Sequence, residues 1–159
     1  RRIRIMIHGY LCATVTKAET GEKKVLSRWN HNLLCNAGRD AFHALCYTNT
    51  SAGTRGFGFI GSTESTITPA VGDTTLSGEI ATNGLTRADA TTKTHTAASN
   101  STLIEHTFTA SGAFTDVKAS ATFVGAGAVT MGHIANFSTG SGTLATNDTL
   151  KISWTLNLG

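Results

Sequence analysis

The strongest constraint on the fold is a strict alternation of apolar and polar residues in the last ten positions of the sequence. The apolar members of this run are Leu150, Ile152, Trp154, Leu156 and Leu158. A period of two places every second side chain on one face of an extended segment, which is typical of a strand with one buried face. Such a strand needs a sheet and a second packed layer, so the run predicts a layered β structure.

The same alternation predicts further strands. Residues 3–16 form one predicted strand, and residues 24–29 return as its hairpin partner after a turn at Gly21. A short apolar strand is predicted at 57–61. Three more stretches with this period are 104–110, 119–123 and 131–137. This spacing indicates an all-β fold, an antiparallel β-sandwich or jelly roll, formed as a single domain over residues 1–159.

One short helix is predicted within this all-β chain, at about residues 37–47. Asn36 can cap its first turn, and Ala41, Phe42 and Leu45 can form one apolar stripe. We expect the helix to cover one end or edge of a sheet.

Charged side chains are scarce. They make up 14% of the residues, whereas ordinary soluble domains have roughly a quarter. Hydroxyl side chains replace them, and such a surface loses water easily, which suits permanent contact with neighbouring subunits. A soluble β-protein with a Thr-rich face would have the same composition. No apolar run approaches the length that spans a membrane, so no membrane contact is predicted.

The net charge of +3 is unevenly distributed, because basic residues are concentrated in the first quarter of the chain. We interpret residues 1–17 as a basic N-terminal strand or arm that lies along a neighbouring subunit, where main-chain hydrogen bonds give affinity. Its predicted contact residues are Arg1, Arg2, Ile3, Arg4, Ile5 and Ile7. The arm has no compact Lys/Arg run and no aromatic ladder, so direct nucleic-acid contact is not expected.

The second predicted contact surface is the long polar connection from Ser62 to Ser77. It carries the single proline, Pro69, and the apolar Val71. A loop of this length in a small domain is more often a contact surface than filler.

The chain has three cysteines, Cys12, Cys35 and Cys46, and no CxxC pair. An odd number leaves one thiol without a partner in the same chain. The sequence allows two interpretations: three small buried apolar residues, or an intermolecular disulfide, for which Cys12 is the candidate.

A search for chemistry finds weak candidates. His31 and Cys35 have the i, i+4 spacing of a metal pair, but no second pair accompanies them. Cys35 could also pair with His31 or His43 as a thiol–imidazole couple, but no acidic residue lies at a suitable spacing. His106 and His133 alternate with core residues and are interpreted as core histidines. No catalytic, metal or cofactor site is predicted.

Three stretches resemble a loose family of tailed-bacteriophage virion proteins. The first is Asn32–Asp40, with the pattern N-L-L…N-A-G-R-D. The second is Gly72–Arg87, with G-D-T-T-L-S-G-E and G-L-T-R. The third pairs Thr107–Gly112 with Asn147–Leu156. The resemblance implies a non-enzymatic structural subunit without a cofactor, placed in the virion and assembled in the host cytoplasm. Its implied partners are the major capsid protein or tail proteins, and further copies of itself.

Three functions follow as hypotheses. The leading one is a capsid decoration, or cement, protein that stabilises the head by subunit contacts. The second is a tail, baseplate or fibre-attachment subunit. The third, of another class, is a glycan-binding β-sandwich, for which Trp29, Tyr10 and Tyr47 are the candidate aromatic residues.

Overall fold

The computed structural model describes residues 7–35, 57–95, 101–127 and 130–158. These ranges contain strands and no helix, and hence no helix with the length and hydropathy needed to cross a membrane. The strands are Ile7–Thr16 (β1), Lys23–His31 (β2), Leu33–Leu34 (β3), Phe59–Thr63 (β4), Ala88–Asp89 (β5), Thr92–His95 (β6), Ser101–Thr109 (β7), Phe114–Val117 (β8), Ala119–Phe123 (β9), Met131–Asn136 (β10), Gly142–Leu144 (β11) and Thr149–Leu158 (β12). The predicted helix at 37–47 lies outside the described residues.

Two five-stranded antiparallel sheets form the body of the protein. Sheet A has the order β2-β1-β12-β7-β6 and sheet B has the order β3-β10-β9-β4-β5, while β11 and β8 form a separate pair. The prediction of an all-β, antiparallel fold is confirmed. The two sheets share one core, an arrangement compatible with a β-sandwich. The strand order does not establish a jelly roll, which stays a prediction.

Sheet A follows the predicted alternation closely. β1 lies between β2 and β12, with its register to β12 running from Ile7 opposite Leu158 to Thr16 opposite Thr149. On β12 the alternating residues Leu150, Ile152 and Trp154 are fully buried, as the sequence predicts. The hairpin from β1 to β2 turns at Gly21, whose φ of 68° lies in the left-handed region that glycine adopts without strain.

The sheets meet through a core that includes polar side chains. The indole Nε1 of Trp154 on sheet A donates a hydrogen bond to Ser120 Oγ on sheet B, at 3.3 Å. Ser120 Oγ in turn donates to the carbonyl of Gly61, at 2.8 Å. A buried indole usually finds an acceptor for its N–H, and here that acceptor fixes one sheet against the other.

The inner strands of sheet B are buried on both faces, because irregular chain covers their outer side. All five residues of β9 are buried. The outer face of β9 and β10 packs against Ile67 and Leu76, which lie between β4 and β5. We call residues 64–87 the covering loop.

The structure corrects the predicted boundaries of this loop. The predicted strand at 57–61 lies two residues further along, as Phe59–Thr63, so the predicted loop from Ser62 begins inside a strand. Ser62 and Thr63 are fully buried because they pair with Ser120 and Ala119 of β9. Period-two patterns cannot reveal this extension, because hydroxyl side chains there occupy interior positions.

Short strands account for the remaining differences from prediction. The sequence predicts none of β3, β5, β6, β8 and β11, which have two to four residues each. A pattern of two to four residues is too short to show a period, and these segments form because longer strands offer them partners.

Candidate functional site

The described part of the chain covers only some of the predicted contact residues. Arg1, Arg2, Ile3, Arg4 and Ile5 lie outside the described residues. Ile7 is the first residue of β1, and nothing is described of its side chain. The rest of the predicted arm is an inner strand of sheet A, so from Gly9 onward its main chain pairs within the chain on both sides. Contact with a neighbouring subunit through residues 1–6 stays a prediction.

Val71 lies at the tip of a tight turn in the covering loop. Asp73 N donates to Ala70 O at 3.1 Å, and Ala70 N donates to Asp73 Oδ2 at 2.8 Å. A side chain that bonds the backbone in this way fixes the turn locally. Val71 is 51% exposed, whereas Pro69 is half-buried. The turn therefore presents one apolar side chain to solvent on a fixed backbone.

The covering loop is attached to the body on both sides of this turn. Ile67 and Leu76 are buried against sheet B, and the amide nitrogen of Asn136 donates to Ile67 O at 2.8 Å. Thr63 Oγ1 donates to the carbonyls of Ser77 and Gly78, each at 2.8 Å. These anchors place the Val71 turn at a defined position on the surface.

Trp29 is the second strongly exposed large apolar side chain in the described ranges, at 53%. It lies at a β-bulge, because Leu11 pairs with Asn30 while Ala13 pairs with Ser27, which leaves one extra residue on β2. Its φ is 43°, in the left-handed region where a bulky side chain is strained by about 1–3 kcal/mol. Bulges of this kind re-aim a side chain, and this one directs an indole toward solvent.

The segment after β10 holds the bulge in place. Arg28 N donates to Ser138 Oγ at 3.2 Å, and Thr139 N donates to Leu26 O at 2.9 Å. Thr139 Oγ1 also donates to Val25 O, at 2.7 Å. Strained backbone persists only where surrounding contacts over-determine it, and these bonds hold the residues that directly precede Trp29.

The outer face of sheet A is rich in hydroxyl groups. Across β1, β12 and β7 it has one row formed by Cys12, Ser153 and Glu105, and a neighbouring row formed by Thr14, Lys151 and Thr107. The two charged side chains of these rows form an ion pair, since Lys151 Nζ lies 2.9 Å from Glu105 Oε1. Ser153 Oγ donates to the same carboxylate at 2.6 Å.

Cys12 lies in the middle of this face as a free, half-buried thiol. That position suits a contact between subunits, and the intermolecular disulfide at Cys12 stays a prediction.

The candidate metal and catalytic residues do not form a site within the described ranges. These ranges contain no group of three or more His, Cys, Asp or Glu side chains that could hold a metal ion. Burial, with the Asp73 carboxylate nearby, raises the pKa of the Cys35 thiol to about 11. A thiol with this pKa is protonated at neutral pH and is a poor nucleophile and metal ligand. His43 lies outside the described residues.

His133 is a core histidine, as the sequence suggested. Its Nδ1 lies 2.9 Å from Thr122 Oγ1, and its ring packs between Phe57 and Trp154 with ring centroids at 5.5 and 6.1 Å. Burial lowers the pKa of His133 to about 4, so the ring is neutral at pH 7. His106 is half-buried against Phe108, and burial lowers its pKa also.

Arg87 stabilises the covering loop, and this role was not predicted from the sequence. Its guanidinium donates to both carboxylate oxygens of Glu79, at 2.7 and 2.5 Å, and to the carbonyls of Gly125 and Gly127. It also stacks on Phe123, at 3.4 Å from the ring centroid. Arg87 thus joins two parts of the covering loop through Glu79 and attaches the loop to sheet B through Phe123. The sequence did not indicate that Glu79 and Arg87 form an ion pair, because they lie in irregular chain, where spacing along the sequence does not show which side chains meet.

No protein-family model, no curated protein and no solved structure matches the chain.

Proposed function

We propose that this chain is a non-enzymatic structural subunit of a tailed-phage virion, held in its assembly by apolar contacts at Trp29 and at the Val71 turn. The observation that carries the proposal is Trp29, an indole that is 53% exposed at a backbone with a φ of 43°. An exposed, strained tryptophan lowers the stability of the free chain, so its presence is explained by a gain on binding. Tryptophan is also enriched among residues that dominate protein interfaces.

The Val71 turn supports the same proposal by a different route. The turn is fixed before binding, since Asp73 bonds its backbone and Ile67 and Leu76 anchor its ends. A preformed loop loses little conformational entropy when it docks, which favours affinity. The low charge of the outer face of sheet A supports contact with neighbours in the same way.

The virion setting rests on the sequence resemblance at residues 32–40, 72–87 and 107–156. A decoration protein of the capsid is the first form of the proposal, with the major capsid protein as partner. A tail, baseplate or fibre-attachment subunit is the second form. Copy number separates them, because decoration needs copies in the hundreds on a symmetric shell, while a tail part needs a few or a few dozen.

The proposal is tested by measuring how many copies purified particles incorporate. We expect Trp29→Ser to lower incorporation strongly, because loss of a tryptophan hot spot costs about 2 kcal/mol or more, roughly 30-fold in affinity. Val71→Ser is expected to have a smaller effect in the same direction. Trp29→Phe, which keeps an aromatic ring, and Thr20→Ala, at an exposed turn position, are the controls.

Quantitative mass spectrometry of the particles provides both copy number and incorporation. Normal incorporation of Trp29→Ser would contradict the contact, and absence of the wild-type chain from particles would contradict the virion setting. Deletion of residues 1–7 tests the predicted arm separately. Electrophoresis of particles with and without reductant tests the Cys12 disulfide.

A further inference from the structure

A polar cleft lies at the end of the body where β8, β10 and β11 meet. It has a volume of about 330 Å³, at the lower end of the range for small-molecule sites. Its lining residues are Thr66, Asp116, Lys118, Asn136, Phe137, Gly140 and Ser141. None of these residues belongs to the proposed contacts at Trp29 and Val71.

The carboxylate of Asp116 is held in one orientation at this cleft. It forms an ion pair with Lys118 Nζ and accepts a hydrogen bond from Ser141. The bond from Lys118 and the bond from Ser141 lower the pKa of Asp116, so the carboxylate is ionised at neutral pH. The backbone beneath it is also fixed, because Asp116 N donates to Glu64 Oε1 at 3.0 Å.

Asn136 provides a second oriented polar group. Its amide nitrogen donates to Ile67 O at 2.8 Å, and an amide fixed through its nitrogen offers its oxygen as an acceptor. The next residue, Phe137, also borders the cleft, but it is buried and belongs to the core shared by the two sheets. The backbone bond from Phe137 N to Lys118 O, at 2.7 Å, joins the two sides of the cleft.

The charge balance of the lining selects the ligand class. Asp116 and Lys118 neutralise each other, so the cleft has no net charge to attract an ion. It instead combines carboxylate and amide acceptors with an ammonium donor and hydroxyl groups. A neutral molecule with several adjacent hydroxyl groups matches this pattern, since hydroxyls donate to carboxylates and accept from ammonium groups.

A second cleft of similar volume provides a contrast. A cleft of about 340 Å³ is lined by Glu79, Arg87 and small or apolar residues. There all three nitrogen atoms of the Arg87 guanidinium already donate to Glu79 or to the carbonyls of Gly125 and Gly127, and the remaining wall offers few polar side chains. The second cleft therefore lacks the varied donors and acceptors of the first.

From this geometry we infer that the cleft around Asp116, Lys118 and Asn136 binds one neutral hexose residue. The binding is weak and reversible, with dissociation constants around the millimolar range for a single sugar. Attached as the end of a surface polysaccharide, the same hexose would be bound by many copies of the subunit at once, and avidity would strengthen attachment.

The test uses the full chain and a panel of methyl hexosides in saturation-transfer NMR and calorimetry. At least one hexoside is expected to bind saturably, and Asp116→Asn is expected to weaken it at least tenfold. Asp89→Asn is the matched control, because Asp89 also pairs with a nearby lysine, Lys93, but lies outside the cleft. This control is expected to bind like the wild type.

Either of two results would overturn the inference. One is the absence of saturable binding by every hexoside up to about 50 mM, well above the expected dissociation constant. The other is unchanged binding by Asp116→Asn when thermal unfolding shows that the variant is folded. Binding of free amino-acid zwitterions in place of sugars would also overturn it. Comparison of methyl hexosides with purified host polysaccharide then distinguishes a free sugar from a polymer end.

Discussion

The two sheets of this protein use their outer faces differently. The outer face of sheet A presents hydroxyl groups and the paired charges of Glu105 and Lys151, and the exposed Thr107 lies on it. The outer face of sheet B is buried under the covering loop, where Ile67 and Leu76 contact β9 and β10. The same alternating pattern in the sequence therefore occurs in strands with one buried face and in strands buried on both faces. The covering loop determines which of the two a strand becomes.

A glycine makes the close cover of sheet B feasible. A Cβ at Gly61 on β4 would lie 2.5 Å from Glu79 Oε1 and 3.0 Å from the Phe123 ring. Only glycine leaves room for the Glu79 carboxylate to lie on the strand, and that carboxylate holds Arg87. The cover thus depends on a missing side chain as much as on the side chains that are present.

The difference in burial between the two outer faces is tested most severely by placing a charge on each of them. Ala121→Asp puts a carboxylate at a fully buried position of β9, inside an apolar cluster. We expect a loss of about 4 kcal/mol or more, enough to prevent folding of a marginal domain. Thr107→Asp, on the exposed face of β7, is expected to stay within about 0.5 kcal/mol of the wild type. Denaturant unfolding measures both, and equal losses would refute the difference between the faces.

The next largest effect is a pH dependence from the core between the sheets. Burial lowers the pKa of His133 from 6.5 to about 4 in the folded chain. Between these values the unfolded chain binds more protons, so stability falls as the pH falls from about 6.5 to 4, by about 3 kcal/mol in total. The depressed carboxylates, such as Asp148, act mainly below this window, where their unfolded forms titrate.

Unfolding midpoints measured across this pH window test the assignment to His133. His133→Gln is expected to flatten the slope, whatever its own stability at pH 7. His106→Gln is the control, because Asp89 partly offsets the effect of burial on the His106 pKa. If the slope survived His133→Gln, another group would be responsible.

A smaller effect tests the attachment of the covering loop. Arg87→Ala removes the bidentate bond to Glu79 and the stacking on Phe123, and it leaves a carboxylate that is only 21% exposed without its partner. We expect a loss of about 2 kcal/mol, less than for a fully buried pair. Lys93→Ala breaks the pair with Asp89, whose side chains are 37% and 33% exposed, and should cost at most about 1 kcal/mol.

Hydrogen exchange locates the Arg87 effect. Amides of the covering loop should exchange faster in Arg87→Ala, while amides of β1 and β12 keep their protection. Uniform loss of protection over both sheets would mean that Arg87 does not act through the loop.

The smallest effect concerns the strained bulge at the edge of sheet A. Trp29→Asn places a residue that tolerates positive φ at a backbone with φ of 43°. The free chain should gain about 0.5–1 kcal/mol, while incorporation into particles falls. If the variant were more stable and were still incorporated normally, the strained Trp29 would not be needed for assembly, which would contradict the proposed contact.

The sequence predicted the long strands because their alternation is a local property. β12 contains its own signal, since Leu150, Ile152 and Trp154 are buried wherever a second layer covers that face. It also placed Val71 in a long polar connection, where the structure has it in the covering loop. The Asp116 cleft had no such signal: its residues come from separate segments, and their joint position depends on how the chain returns to β8, β10 and β11.

What the sequence by itself determined is therefore the class of structure: antiparallel strands with an apolar face, and a chain with little charge. Tertiary structure decided which strands are covered twice, where the Trp29 bulge lies, and that Arg87 meets Glu79. The physical reason is that alternation shows only that one face of a strand is apolar and is therefore buried. Whether water is excluded from the opposite face depends on residues far along the chain, such as Ile67 and Leu76 packing on β9 and β10.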